Sequence, residues 1–345
     1  MSNAMSDAMS DTRSDGTWDS ISDAISDGSE AEEYSQDAAV EAVRDYYAFL
    51  CTMYLDPARV VEPPPGGWPE ITAERFQHMH KSDEVIELLC HLPYISTSEQ
   101  DPDVAQGFSQ CVFADWAHEA RLPSKYPELT PEAEGESWRI ASEVWEYEDV
   151  PPHVIGLTLG GARNETLLLD TEIGVIHWIE CPEQLKRWWK VYPDGRMDSD
   201  FESGSDQESD DDEASDEQTE RDYKVIKHVS SDYFANDREV EEEREWRSRG
   251  GTWEIADLFE ILKAQFRTLD FVPVSDCKVV DTRTNWHGYN DLRNEVRGIW
   301  REFGWPGAAA ATGEGSDGKG TFDKAACLAR VRHVVREKYG DTRAI

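Results

Sequence analysis

No apolar run in this 345-residue chain approaches the roughly 18–20 residues that a membrane-spanning helix needs. Mean hydropathy is −0.67. The first residues are acidic rather than basic and then apolar, which does not fit a secretory signal. Paired cysteine spacings are missing as well. Cys51, Cys90, Cys111, Cys181, Cys277 and Cys327 lie far apart, so reduced thiols in an intracellular protein are expected, in the cytoplasm or the nucleus. The sequon Asn164-Glu165-Thr166 is accordingly not expected to carry a glycan. Positive charge is scarce: 34 Lys and Arg stand against 72 Asp and Glu, a net −38. A surface of that sign repels phosphate backbones and anionic lipid, so neither nucleic acid nor a membrane is an expected partner. Charged protein partners, if there are any, should be basic.

Signatures of chemistry are also thin. Residues 313–321 nearly spell a phosphate-binding loop, but Gly320 follows Lys319 where magnesium needs a hydroxyl, and no buried strand precedes it. A flexible linker is the expectation there. His118-Glu119 lacks the second histidine of a zinc-protease helix. His78, His80, Cys90 and His91 are close in sequence, yet residues two apart on a helix point different ways. No Gly-x-Ser-x-Gly elbow occurs. The sequence therefore assigns no catalytic residue, no cofactor and no metal ligand. An unfamiliar enzyme would show itself as a deep pocket of converging polar side chains with perturbed carboxylates.

What the chain does have is aromatic mass and two acidic segments. Thirteen Trp in so acidic a protein are expected mostly inside. Residues 194–222 hold fourteen acids against two arginines, a balance of −12, and residues 1–37 hold ten against Arg13. Together they carry −21 of the −38. The N-terminal part repeats Ser-Asp every four residues with almost no large apolar side chain, so residues 1–36 are expected to form a disordered acidic tail. Residues 194–222 are expected to be a disordered insert. Its Ser199, Ser203, Ser205 and Ser209 each have an acid three residues downstream, the pattern an acidophilic kinase reads with basic pockets. Each phosphate would add about −1.5 to −2 charges.

Order is expected from residue 37. Val40, Val43, Tyr47, Leu50 and Tyr54 recur at helical spacing before Asp56-Pro57 breaks the pattern. Thr72 and Ser82 have the chemistry of helix N-caps. Residues 153–159, 166–169 and 175–179 are three β-branched or leucine-rich runs with short turns between them, which predicts an antiparallel meander. Lys186 to Trp189 predicts a helix with one indole inward, Trp189 being a candidate partner contact. Residues 223–229 predict an edge strand. Thr252 is read as the cap of a helix with Ile255, Leu258, Phe259, Leu262, Phe266 and Leu269 on one stripe. Beyond it the balance turns slightly basic, and residues 276–345 are expected to form a helical C-terminal extension with helices over 290–303 and 322–339. Lys324, Arg330, Arg332, Arg336 and Lys338 make the second helix a candidate contact for the acidic insert.

With these elements placed, the chain resembles the SUKH superfamily, which includes fungal cell-wall-assembly regulators and toxin-immunity proteins. The carrying residues are Gly67-Trp68-Pro69, the run over 155–182 with Gly160, Gly161, Asp170 and Gly174 at its turns, and the helix over 253–269 opened by Asp257-Leu258-Phe259. The resemblance covers roughly residues 40–275 and rests on hydrophobic pattern plus a few turn residues. It implies an α+β domain over 37–275, an antiparallel β-meander packed with helices, interrupted by the insert and used to bind proteins. The insert and the helical extension depart from the family pattern and put the transfer of any particular partner in doubt. The expected function is a non-enzymatic interaction or regulatory module, linked to cell-wall or signalling control and tuned by phosphorylatable acidic segments. The alternative is an acidic scaffold for basic proteins, histone-chaperone-like, with the acidic tracts as the binding site.

Overall fold

The structure is a computed structural model and describes residues 34–96, 104–122, 130–143, 147–159, 164–192, 197–199, 224–226, 243, 246–283, 290–306 and 322–340. The tail over 1–33, Gly160 and Gly161, and Ser203, Ser205 and Ser209 lie outside the described residues. The fold is α+β, with antiparallel sheets packed against helices.

Helix α1, Gln36–Met53, starts where Ser35 caps the Ala38 amide at 3.3 Å. Its buried stripe includes Val40, Val43, Tyr47 and Leu50, as the periodicity requires. Its last turn carries no basic residue of its own. Lys324, 269 residues beyond Leu55, supplies that charge, donating Nζ to the carbonyls of Cys51 at 2.7 Å and Leu55 at 2.6 Å. A cation on the last carbonyls of a helix satisfies orphan acceptors and opposes the dipole.

Short helices α2, Ala73–Phe76, and α3, Asp83–His91, are capped by Thr72 and Ser82. Strands β1, Val60–Val61, and β2, Tyr94–Ile95, pair across them. Helices α4, Trp116–Arg121, and α5, Pro131–Ser142, follow, capped by Asp115 and Thr130.

The meander forms as expected: β3, Val154–Gly156, β4, Leu167–Asp170, and β5, Val175–Trp178, are antiparallel neighbours. A fourth strand, Gly251–Glu254, joins β5 across the acidic insert. Thr252 therefore sits in a strand rather than capping a helix, and the Ile255–Arg267 helix has Glu254 at its N-cap with no side-chain cap bond. Every residue of β3, β4 and β5 is buried. That explains the unbroken Leu167-Leu168-Leu169: a sheet covered on both faces does not alternate.

Residues 188–191 also differ from expectation. They form strand β6, Trp188–Val191, not a helix, between β7, Met197–Ser199, and β8, Lys224–Val225. The stretch expected as an insert thus begins with a strand, and the edge strand expected over 223–229 is the short β8. The other labels follow in order: β9 is Gly251–Glu254 and α6 is Ile255–Arg267. The hairpin of β10, Phe271–Pro273, and β11, Val279–Asp281, then leads to α7, Asn290–Glu302, and α8, Lys324–Tyr339.

Helices α1 and α6 cover the inner sheet face, where Tyr46 stacks on Phe259 at 4.9 Å and Phe108 meets Trp178 at 5.1 Å. The C-terminal helices belong to this same core: Leu292, Val296, Trp300, Leu328, Val331 and Val335 join it. The boundary drawn at 275/276 falls inside the β10–β11 hairpin, whose register pairs Pro273 with Val279. Indole bonds fasten α7 to the body, Trp300 Nε1 to Pro273 O at 3.0 Å and Trp305 Nε1 to Phe266 O at 2.9 Å. Eight tryptophans are buried among the described residues: Trp68, Trp116, Trp138, Trp178, Trp246, Trp253, Trp300 and Trp305.

Gly250 shows how tightly the second sheet face is closed. Its φ is +66°, and a Cβ there would lie 1.9 Å from the Trp178 carbonyl oxygen. Gly66, φ +92°, has nothing within 4 Å of the same position. Gly66→Ala is expected to lose about 1–2 kcal/mol from the left-handed backbone alone. Gly250→Ala should lose clearly more, because backbone must also move. Denaturant midpoints of the two variants, measured side by side, check the ranking, and equal losses would contradict it.

Candidate functional site

The outer face of the sheet holds a network of polar side chains. The strand register places Leu168, His177 and Thr252 in one row, with Val154, Asp170 and Val175 in the next. Asp170, His177 and Thr252 are all buried, so each needs a partner. The partner is Arg247, from the short strap over 246–250 that precedes β9. Its guanidinium gives one nitrogen to Asp170 Oδ2 at 3.0 Å, another to His177 Nε2 at 3.0 Å, and Nε to Glu243 at 3.1 Å.

An arginine cannot accept a hydrogen bond, so His177 Nε2 must. The proton then sits on Nδ1, which donates to Thr252 Oγ1 at 2.6 Å. His177 is thus the neutral Nδ1–H tautomer. Asp170 is saturated too: Oδ1 accepts the amides of Glu172 at 2.9 Å and Ile173 at 3.3 Å, closing the turn in which Gly174 takes φ +70°. Trp246 completes the cover. Its ring lies 4.3 Å beneath the Arg247 guanidinium, its Nε1 donates to Asp149 O at 3.3 Å, and it packs with Val150, Val154, Leu168 and Ile179 in a second small core. Chemically this is a clamp, with every strong group occupied by another part of the fold.

A cleft of about 350 Å³ lies between the α2 region and α5. Arg75 forms its wall. The guanidinium holds Glu134 with two nitrogens at 2.8 and 3.2 Å, donates to the carbonyls of Ala120 and Leu122, and lies 4.6 Å over Trp138. His78 lies 3.9 Å from Glu132, and a Cβ on Gly135 would come within 2.5 Å of the His78 carbonyl oxygen. Behind the cleft, the Lys81 and Glu143 side chains are sealed from solvent and meet at 2.7 Å, with Arg139 on the other carboxylate oxygen at 3.2 Å. Burial pushes the Lys81 ammonium down and the Glu143 carboxyl up, while Lys81 and Arg139 draw Glu143 back.

One carboxylate stands apart. Extending the β4–β5 register puts Glu165 opposite Glu180. Glu165 accepts the Trp178 indole at 2.6 Å, and Glu180 takes the Thr166 amide at 2.7 Å. Burial first, then the charges of Glu180 and Asp281, push Glu165 up to about 7 against the pull of Trp178 and Arg283. Like charges facing across a ladder repel.

Of the residues expected from sequence, Asp170 and Gly174 meet at the turn, and Trp68 ties its loop to the end of α3, with Nε1 on Leu92 O at 2.9 Å and its amide on Cys90 O at 2.9 Å. Trp189 is in β6. Trp188 pairs with Ser199 and Lys190 with Asp198, which makes Trp189 the extra residue of a bulge. Ser199 ends β7, separating it from the other three serines. Cys90 points its thiol at Trp68 O, 3.4 Å away, and His80 is in the left-handed region at φ +55°. Among the described residues no group of three or more His, Cys, Asp or Glu is placed to hold a metal. All six cysteines are free, and Asn164 spends its amide on the Val112 backbone, at 2.7 and 3.2 Å. No described helix is long and apolar enough to cross a membrane. His177, Arg247 and Glu165 were not singled out in the sequence, where each is one polar residue among many.

Compared with known proteins, the chain matches no family model, no curated protein and no solved structure.

Removing one partner of a buried ion pair strands the other charge, a loss of about 3–5 kcal/mol. Arg247→Met and Asp170→Ala are each expected to fall in that range by chemical denaturation. In the intact protein, the ¹⁵N shifts of His177 should report the Nδ1–H tautomer; an Nε2–H signal would remove the Arg247 contact from the account.

Glu165 yields a pH prediction. A carboxyl raised in the fold from 4.5 to about 7 binds its proton more tightly folded than unfolded. Its contribution is neutral below pH 4.5 and turns destabilising as pH rises to 7, by about 3 kcal/mol. Glu165→Gln should therefore match the parent near pH 4 and exceed it above pH 7. Denaturation across that range checks the divergence.

Proposed function

We propose that the protein is a non-enzymatic, intracellular protein–protein interaction module of the SUKH kind, linked to cell-wall or signalling regulation. Its acidic block is the substrate of an acidophilic kinase and tunes the contacts of the folded body. The observation that supports this reading is where the block is attached. Strands β7 and β8 flank β6 on its two sides, so residues 200–223 leave and return within about two strand spacings, roughly 10 Å across the sheet. Met197 and Lys224 both pair with Val191, and Lys224 Nζ reaches Asp257 of α6 at 2.8 Å. Twenty-four residues, far more than the gap requires, are thus presented at one fixed place on the body. Added phosphate on Ser203, Ser205 or Ser209 would change charge there while the ladder stays intact.

The second reading, an acidic scaffold for basic proteins, draws on a different observation. The large apolar side chains exposed among the described residues are Val104 at 40 % and Ile140 at 46 %. A described surface with so little apolar area favours partners held by charge.

The two readings part in one experiment. The full chain is compared with a variant in which the acids over 201–222 become Asn or Gln at unchanged length, which leaves β7 and β8 in place. Partners captured by cross-linking should persist with the variant, at altered affinity, if the folded body binds them. Loss of every partner, together with release of the parent's partners by about 0.5 M salt, establishes the scaffold instead.

A further inference from the structure

We infer that Arg330, Arg332 and Arg336 on α8 are the docking strip for the acidic block of this same chain, residues 200–223. This goes beyond the proposed function, since it names what the block touches when no partner is present. Five cations on this helix were candidates from sequence alone. Two of them are committed within the fold: Lys324 caps the end of α1, and Lys338 pairs with Glu295 of α7. Arg330, Arg332 and Arg336 are exposed and have no ion-pair partner among the described residues.

All three lie away from the core, with Arg332 and Arg336 as neighbours and Arg330 toward the opposite edge of the exposed arc, since residues two apart point different ways. Cys327, Leu328, Val331, Val334 and Val335 face the core, so Ala329, Arg330, Arg332, His333, Arg336 and Glu337 line the outer arc. Glu337 is the acid on that arc, and it lies 3.5 Å from His333. Arg332 and Arg336 are four residues apart, a spacing at which like charges repel on a helix. Left alone, the arrangement opposes itself, and an anion over the arc relieves it.

The surroundings select the anion. A free acidic protein approaching a chain of net −38 is repelled at long range. The block meets no such barrier, because it is tethered to the same body and its local concentration is of millimolar order. It holds twelve acids against Arg221. Tethered at Ser199 and Lys224, a segment of 24 residues can reach at most roughly 40 Å from its base. The radius of gyration expected for a body of this size is about 20 Å.

The test uses the full chain with Arg330→Lys, Arg332→Lys and Arg336→Lys together, which keeps the charge and supplies amines for a zero-length carbodiimide cross-link. Mass spectrometry of the monomer band at about 0.05 M salt should find these three positions joined to acids within 200–223. At about 1 M salt, where screening shortens to about 3 Å, the yield should fall several-fold. A companion variant that also carries the Asn and Gln replacements over 201–222 should lose these links while keeping its denaturant midpoint. Links only to acids outside the block, links confined to a dimer band, or no links at all would overturn the inference. None of these outcomes depends on whether a partner binds, so the proposed function stands or falls separately.

Discussion

The structure turns on a sheet that is buried on both faces. An antiparallel meander normally leaves one side to water and shows it by alternating side chains. Here Leu168 and Val154 point away from the helical core, in company with Asp170 and His177, and all four are buried. Something must cover them, and what precedes the meander does so in part, through Val150 and the end of α5, where Ser142 packs on Gly156. Trp246 and Arg247 supply the rest from beyond the acidic block, with β9 following to complete the sheet. Folding therefore has to bridge the block to finish its central sheet. That explains why the chain is tied so firmly on both sides of it: β7 and β8 at its base, Lys224 on Asp257, then the Arg247 clamp.

The clamp itself is a balance of large opposing terms. Burying a carboxylate and a guanidinium is costly, and their attraction repays this only when the remaining donors and acceptors are met. Two amides close Asp170, Glu243 and the Trp246 ring close Arg247, and a neutral imidazole passes the network on to Thr252. An apolar replacement of similar shape would be nearly as stable. What the ionic version adds is register, since Arg247 fits only where Asp170 and His177 lie diagonally across adjacent strands. A one-residue slip of β9 would turn Thr252 away from His177 and leave Trp253 in its place.

Much of the architecture was legible in the sequence where its causes are local. Thr72 and Ser82 start helices because a side-chain oxygen three residues upstream of a free amide is a short-range event. The stripe of α6 and the three meander strands are likewise written in neighbouring residues. The misreadings share one feature, dependence on a distant partner. Thr252 has the chemistry of a cap, but its hydroxyl is taken by His177, 75 residues away. Residues 188–191 form a strand by pairing with 197–199 and 224–225, partners the helix reading did not include, although Trp188, Trp189 and Val191 are themselves strand formers. Asp170 was found as a turn residue, and the turn is there. Its bond to Arg247 spans 77 positions, the whole acidic block among them, and has no local trace. The same holds for Glu165, whose pKa reflects the burial and opposed charges around it rather than its neighbours in sequence.

These contrasts also sort the charges by use. Inside the body, Glu165 aside, the charged groups described above come in closed sets: Asp170 with Arg247, Arg75 with Glu134, Lys81 with Glu143 and Arg139. Each set fastens one segment to another, and in a closed set neither charge has attraction left for a solute. Recognition by charge must then come from groups that folding leaves uncommitted. On the described surface the three arginines of α8 meet that condition, and the acidic block is the counterpart proposed for them. Their signs are opposite and they belong to one chain, so on the proposed docking whatever engages either competes with the other. For a protein whose described surface offers so little apolar area, such competition is where selectivity and control by phosphate would act.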